Sequence, residues 1–246
     1  MKLNFTLLAI LICQGTFGQI NIKDINRSLA KINDKLYASK YEVSNQLYGA
    51  FLNSLKKNHK EGDLVIAKID SLQWLSKDSY NKPYEFYYHL HPAFNEYPVV
   101  NITYDGAVLF CKWLTDEYNS SPKRKFKKVI FRLPSEKEWM IAAKGGSSSS
   151  NYSWKESKGL INCNFRTITE DSINYYTVSV KTYRPNGFGL YNMCGNVAEM
   201  LNDKKIVKGG SWQDTIENVK IGFQKSYDGT AMTTVGFRYF MEVIEK

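Results

Sequence analysis

The sequence predicts a single α+β domain with much irregular chain. Its 246 residues are room for one large domain. Runs at helical spacing are interleaved with short strand-like runs ended by proline or glycine, and no internal repeat or linker divides the chain. The composition, 43% hydrophobic and 23% charged, is that of a globular chain rather than a disordered one. Six prolines and 16 glycines exclude a collagen-like or linker-dominated chain. A chain of this size buries a core without a lattice of disulfides.

The elements follow from spacing and caps. Residues 19–40 read as a polar lead-in with one amphipathic patch. In 42–55, Val43, Leu47, Tyr48, Phe51, Leu52 and Leu55 recur at helical spacing behind the N-cap Ser44. Residues 58–95 mix aromatic and charged side chains without a period and read as an extended loop region. Thr103 caps a helix over 104–118, with Ala107, Val108, Cys111 and Leu114 on its apolar face. Residues 129–134 form a strand stopped by Pro134. Ser135 and Glu138 make a capping box, Trp139, Ala142 and Ala143 face the core, and Gly145-Gly146 ends that helix. Beyond 151 the strands are short, and 205–208 and 235–242 are the best candidates.

Lys and Arg outnumber Asp and Glu by 33 to 24, a formal charge of +9. The basic residues are scattered, so nucleic acid is not an expected partner. The one dense run, Lys123, Arg124, Lys125, Lys127 and Lys128, reads as a solvated loop entering a strand.

The first 18 residues read as a secretory signal peptide. Lys2 supplies the basic end, and 5–13 is an apolar run of about nine residues, too short to cross a ~30 Å hydrocarbon core. Thr16 and Gly18 fit cleavage before Gln19. Ile12 ahead of Cys13 suits a lipid-anchor signal badly, so soluble export to the periplasm or the outside is expected, with no transmembrane segment. Removal of Cys13 leaves Cys111, Cys163 and Cys194, which allow at most one internal disulfide and match no zinc spacing.

Five blocks stand in order: EVSNQLYGAF at 42–51, the segment 97–114, FRLPSEKEWMIAAKGG at 131–146, NGFGLYNMCGNVAEM at 186–200, and VKGGSW at 207–212 with Gly236-Phe237-Arg238. Together they resemble the formylglycine-generating enzyme family, the sulfatase-modifying factor domains, over 41–243. The resemblance implies a C-type lectin-like variant of the α+β class, filling 41–246. Within the family, exported members similar to gliding-motility and secretion-associated lipoproteins of Bacteroidetes are the nearest in type.

The resemblance also implies where chemistry would lie. Oxidases of the family hold copper(I) between two cysteines, the first two positions after GGS and an aromatic residue, the second five residues on. Those positions here are Asp214 and Val219, and no cysteine follows Cys194. A carboxylate is a hard ligand and does not replace a thiolate for copper(I), so copper is not an expected cofactor. Sulfoxide synthases of the family need histidines, and only His59, His89 and His91 are present. His89-x-His91 would bind a metal only if both faced one side of a strand, and a surface pair is the plainer reading.

Calcium is the cofactor the resemblance favours, through Asn192 and Glu199 side chains with the carbonyls of Gly195 and Val197. A second set falls near Asn162, Cys163, Asp171 and Ile173. The plainer reading of Asn192 and Glu199 is turn and helix capping without metal. The loop 215–234 is the expected binding surface, with Asp214, Tyr227, Asp228 and Met232 as ligand contacts for a protein, peptide or glycan. Arg132, Glu136, Glu138 and Arg238 are expected in buried ion pairs. A binding or scaffold module is therefore the first expectation, and an oxidoreductase with altered metal ligands the alternative.

Overall fold

The computed structural model describes residues 20–75, 81–147, 150–154, 162–169, 172–173 and 176–246. The expected signal peptide, Cys13 and Asp171 lie outside the described residues.

Two small sheets and a hairpin carry the chain, flanked by helices. The helices are α1 (Ile22–Arg27), α2 (Asn45–Lys57), α3 (Glu61–Ala67), α4 (Tyr84–Tyr87), α5 (Tyr104–Ser120) and α6 (Glu136–Lys144). The strands are β1 (Leu29–Lys31), β2 (Leu36–Ser39), β3 (Lys128–Arg132), β4 (Ile168–Thr169), β5 (Ser172–Ile173), β6 (Ala198–Met200), β7 (Ile206–Lys208), β8 (Gln224–Ser226), β9 (Val235–Gly236) and β10 (Phe240–Glu245). The first sheet runs β1-β2-β10-β3 and is antiparallel throughout. The second runs β8-β7-β6-β9, with β6 and β9 parallel. β4 and β5 pair alone. Among the described residues no helix is long and apolar enough to cross a membrane.

Local chemistry sets the helix starts. Ser44 accepts from the N–H of Leu47 (3.3 Å) and Thr103 from that of Gly106 (3.1 Å). Ser135 accepts from the N–H of Glu138 (3.3 Å), and the Glu138 carboxylate accepts in return from the N–H of Ser135 (2.8 Å), closing the capping box. Gly145 ends α6 at φ 57°, the left-handed turn that a Cβ disfavours.

The main core packs Tyr48 and Phe51 of α2 and Phe110 of α5 against Phe131, Phe237 and Tyr239. Most of the rings meet edge-on or tilted, as at Phe110–Phe237 (5.3 Å between centroids) and Phe131–Tyr239 (5.4 Å), while Tyr48 and Phe110 stack (5.8 Å). A second cluster gathers Trp139, Met193, Cys194 and Val219, and a third Trp74, Tyr88, Val197 and Trp212.

The outer edge of β3 is covered by α5. The side-chain amide of Asn119 donates to the carbonyl of Val129 (2.9 Å) and accepts from its N–H (3.0 Å). The Thr115 hydroxyl accepts from the N–H of Phe131 (2.9 Å). A helix thus satisfies strand groups that a neighbouring chain would otherwise pair.

Four expectations need correction. The lead-in 19–40 supplies α1, β1 and β2, and β2 lies between β1 and β10. Its strands are only 3 and 4 residues long, too short to show a period, and are held by the Asn33 side chain accepting from the N–H groups of Lys35 and Leu36. The stretch 58–95 holds α3, α4 and two 3-10 turns, each shorter than the window a helical period needs. Val108 is 43% exposed, beside the exposed Ile130, because the buried stripe of α5 runs through Ala107, Cys111 and Leu114. The expected strand 235–242 is two strands in two sheets, broken over Phe237, Arg238 and Tyr239.

Arg132 forks onto Glu138 (2.7 and 2.8 Å) and reaches Glu242 (3.0 Å). The guanidinium holds the half-buried Glu138 carboxyl down to about 2. A depressed folded-state value contributes stability above the ordinary value of 4.5 that is lost as pH falls toward 2. After discount for solvent screening the contribution is about 1–2 kcal/mol. Acid titration of urea unfolding is expected to show this loss, and Glu138→Gln is expected to flatten the profile between those values. An unchanged profile would remove the pair from the account.

Candidate functional site

Arg238 sits in the break between β9 and β10, and both it and Glu199 of β6 are closed to solvent (0% and 1% exposed). Its Nε and Nη2 donate to the Glu199 carboxylate at 2.6–2.9 Å. Nη1 donates to the carbonyls of Ser39 (3.0 Å) and Lys40 (3.1 Å), and Nη2 also to that of Tyr191 (2.8 Å). All five guanidinium N–H donors are thereby used. Trp139 Nε1 donates to Glu199 Oε2 (2.7 Å) from α6, so the capping box that starts α6 also aims this indole.

Glu42 is 2% exposed, next to the N-cap of α2. Its Oε2 accepts from Asn192 Nδ2 (3.0 Å) and its Oε1 from Asn196 Nδ2 (2.9 Å). Both asparagines are left-handed, at φ 51° and 64°, a conformation their short polar side chains tolerate. Asn192 Oδ1 is buried without a partner. Burial pushes the Glu42 carboxyl up to about 8, against the pull of Arg238.

The expected calcium set is only partly gathered. Asn192 Oδ1 is a hard, unengaged donor that fits a cation. Glu199 does not fit, because both of its oxygens are held by a guanidinium and an indole, and an ion there would face a fixed positive charge. A calcium ion shared by Asn192 and Glu199 therefore does not fit this arrangement. Gly195 (φ 77°) lies against Asn164, whose carbonyl a Cβ would meet at 2.2 Å, and Val197 packs in the third core cluster. In the second set, Asn162 is bound at both ends by the backbone of Arg184 (2.9 Å each) and Cys163 is buried. Ile173 stands in the β4–β5 hairpin. Among the described residues no group of three or more His, Cys, Asp or Glu side chains converges as a metal site.

The two positions that the resemblance equates with copper ligands, Asp214 and Val219, are both engaged in the fold. Asp214 Oδ2 accepts from the hydroxyl (2.6 Å) and N–H (2.9 Å) of Ser211, closing the turn after β7. Its Oδ1 faces Lys225 of β8 at 3.8 Å. Val219 is fully buried in the second core cluster. Of the other loop candidates, Tyr227 is buried and donates to the carbonyl of Thr230 (2.8 Å). Met232 packs on the main core. Asp228 is exposed and accepts from the N–H (2.9 Å) and hydroxyl (2.6 Å) of Thr230.

The histidines are engaged separately. His89 Nδ1 bonds Asn45 Oδ1 (3.0 Å), and desolvation pushes the imidazole down to about 3, while His91 caps a 3-10 turn through the N–H of Ala93 (3.2 Å). Cys111, Cys163 and Cys194 are buried and unbridged. Burial pushes the Cys194 thiol up to about 11 and the other two higher, which disfavours the reactive thiolate.

Sequence reasoning missed Glu42, Asn196 and Lys208. A lone carboxylate between Tyr41 and Val43 was the available signal for Glu42. The Lys208 side chain is fully buried and bonds Glu136 (3.1 Å), so Glu136 is paired, but with a lysine and with its own side chain 43% exposed rather than buried.

Residues 8–243 match the Sulfatase-modifying factor enzyme 1-like domain. The chain is 26% identical over 174 residues to the Serine/threonine-protein kinase pkn1 of Chlamydia pneumoniae, covering 61% of this chain and 25% of that protein. It is 32% identical over 116 residues to the Formylglycine-generating enzyme of Streptomyces coelicolor, covering 44% of this chain and 32% of that enzyme. The matches thus span a quarter to a third of these relatives' length. The crystal structure of CarF superposes with a TM-score of 0.60 at 20% identity, over 87% of this chain and 93% of that one, which shows the fold.

Removal of the buried guanidinium is expected to cost about 3–5 kcal/mol, because Glu199 is left charged and unpaired. Urea unfolding of Arg238→Met reads this directly. Adding Glu199→Gln is expected to return part of the loss, since the stranded charge is then gone. A loss under about 1 kcal/mol in the single variant would contradict the pairing.

Proposed function

We propose that this chain, which belongs to the Sulfatase-modifying factor enzyme 1-like domain family, is an exported binding or scaffold module without the family's copper-dependent oxidase chemistry. One observation carries the reading. Where oxidases of this family place two thiolates, this chain has a carboxylate tied back to Ser211 and a valine buried in the core. Neither supplies a soft ligand, and Val219 does not reach a surface site without unpacking. Export is supported by the basic, then apolar, then small-residue order of residues 1–18.

The binding face in this reading is the edge strand β8 with its flanking loop. All three residues of β8 are exposed, and Lys225 and Asp228 offer opposite charges to a protein, peptide or glycan. Exposed edge groups accept an extended segment through main-chain hydrogen bonds, and flanking charges select it.

The test is incubation of the protein with copper(I), oxygen and a peptide carrying a Cys-x-Pro-x-Arg target, read by mass spectrometry beside an active family oxidase. No conversion of cysteine to formylglycine is expected, and conversion would overturn the reading. Peptide and glycan arrays then test the face. A signal lost in Lys225→Glu or Asp228→Lys supports it, and a signal indifferent to both moves the binding site elsewhere.

A further inference from the structure

A cavity of about 390 Å³ lies between α5 and β3, lined by α5, residues 130–133 and Asn202. Small-molecule sites are typically ~300–1,000 Å³ and mostly apolar. On α5 the lining residues are Tyr104, Val108, Cys111, Lys112 and Thr115, whose spacing puts them on one face of the helix. Cys111, Phe131 and Leu133 are buried, while Val108 and Ile130 are exposed. Exposed aliphatic residues need no explanation when scattered singly, but these two border one cavity.

Most polar groups at this cavity are engaged within the fold. The Tyr104 hydroxyl donates to the carbonyl of Asn202 (2.8 Å), and the Thr115 hydroxyl to that of Cys111 (2.9 Å). Arg132 is held by Glu138 and Glu242. Burial pushes the Cys111 thiol up, so it stays neutral. Lys112 is exposed at the edge of the cavity. Among the described residues it has no ion-pair or hydrogen-bond partner, and no carboxylate lines the cavity.

We propose that this cavity binds a small amphipathic carboxylate, its hydrocarbon chain against Val108, Ile130 and Leu133 and its anionic end at Lys112. The walls supply affinity through apolar burial, and the lysine selects an anionic head group. A cationic head group would be repelled, and a neutral one would leave Lys112 unmatched. Lysine is a flexible point charge, suited to a carboxylate that stays in contact with water. The ligand also gives Val108 a role. The sequence places this residue on the apolar face of α5, and its cover comes from the bound chain rather than from the fold.

Isothermal titration of the full chain with octanoate, beside octanol, octylammonium and butyrate, tests this. Octanoate is expected to bind one site with a Kd on the order of 10⁻⁴–10⁻³ M. Butyrate, with its shorter chain, is expected to bind at least about tenfold more weakly, and octylammonium more weakly than octanoate. Val108→Glu sets a carboxylate in the exposed wall and is expected to abolish octanoate binding. Lys112→Met is expected to weaken octanoate about three- to fivefold and to leave octanol unchanged. Both positions are exposed on α5 and both replacements are good helix formers, so the variants keep the fold. No saturable octanoate binding, binding retained in Val108→Glu, equal affinity for octylammonium, or an equal loss for octanol in Lys112→Met each overturns the proposal. None of these outcomes touches the binding-module reading, since no lining residue belongs to β8 or its flanking loop.

Discussion

The ion pair of Arg238 and Glu199 is the constraint that the rest of the structure accommodates. A guanidinium removed from water is tolerated only if its charge and every N–H are matched. The chain meets that demand from three separated places: Glu199 in the second sheet, Ser39 and Lys40 at the end of β2, and Tyr191 in the loop before β6. Because Arg238 lies between β9 and β10, these bonds fix how one sheet meets the other. Trp139 adds a third body, since its indole bonds the same carboxylate from α6. The break in the long apolar run 235–242 is then required geometry. Continuous strand would leave the guanidinium without its partners.

The same logic explains why the copper positions read as structure. Asp214 is held by two bonds from Ser211, and the loop beyond it is pinned by Val219 in the core. A loop that elsewhere in the family presents reactive sulfur is here shaped by packing. What it leaves exposed is the β8 edge with Lys225, and Asp228 beyond it.

Local signals were legible in the sequence and long-range ones were not. Ser44, Thr103 and the Ser135–Glu138 box are written within one helical turn, and each cap stands where the sequence puts it. The framework motifs led to the family, and the family to the fold. Arg238 was expected to be paired, but its partner lies 39 residues away, and no spacing rule reaches that far. Glu42 and its asparagines are 150 and 154 residues apart, so a residue central to the site looked like an ordinary flank of a helix cap. Val108 failed for another reason. Helical period defines a stripe about one-third of the circumference wide, and residues at its margin are buried or exposed according to what lies opposite.

The covering of β3 by α5 has a consequence for life at high concentration. A sheet edge is a template, and each strand added to it offers a new edge to the next molecule. Asn119 occupies that edge at Val129, whose C=O and N–H are both taken by its amide. The helix thus closes this one edge to strand addition. Positions 115 and 119 are accordingly answerable to encounters between molecules as well as to the fold of one, a selective pressure invisible in any measurement of a dilute monomer.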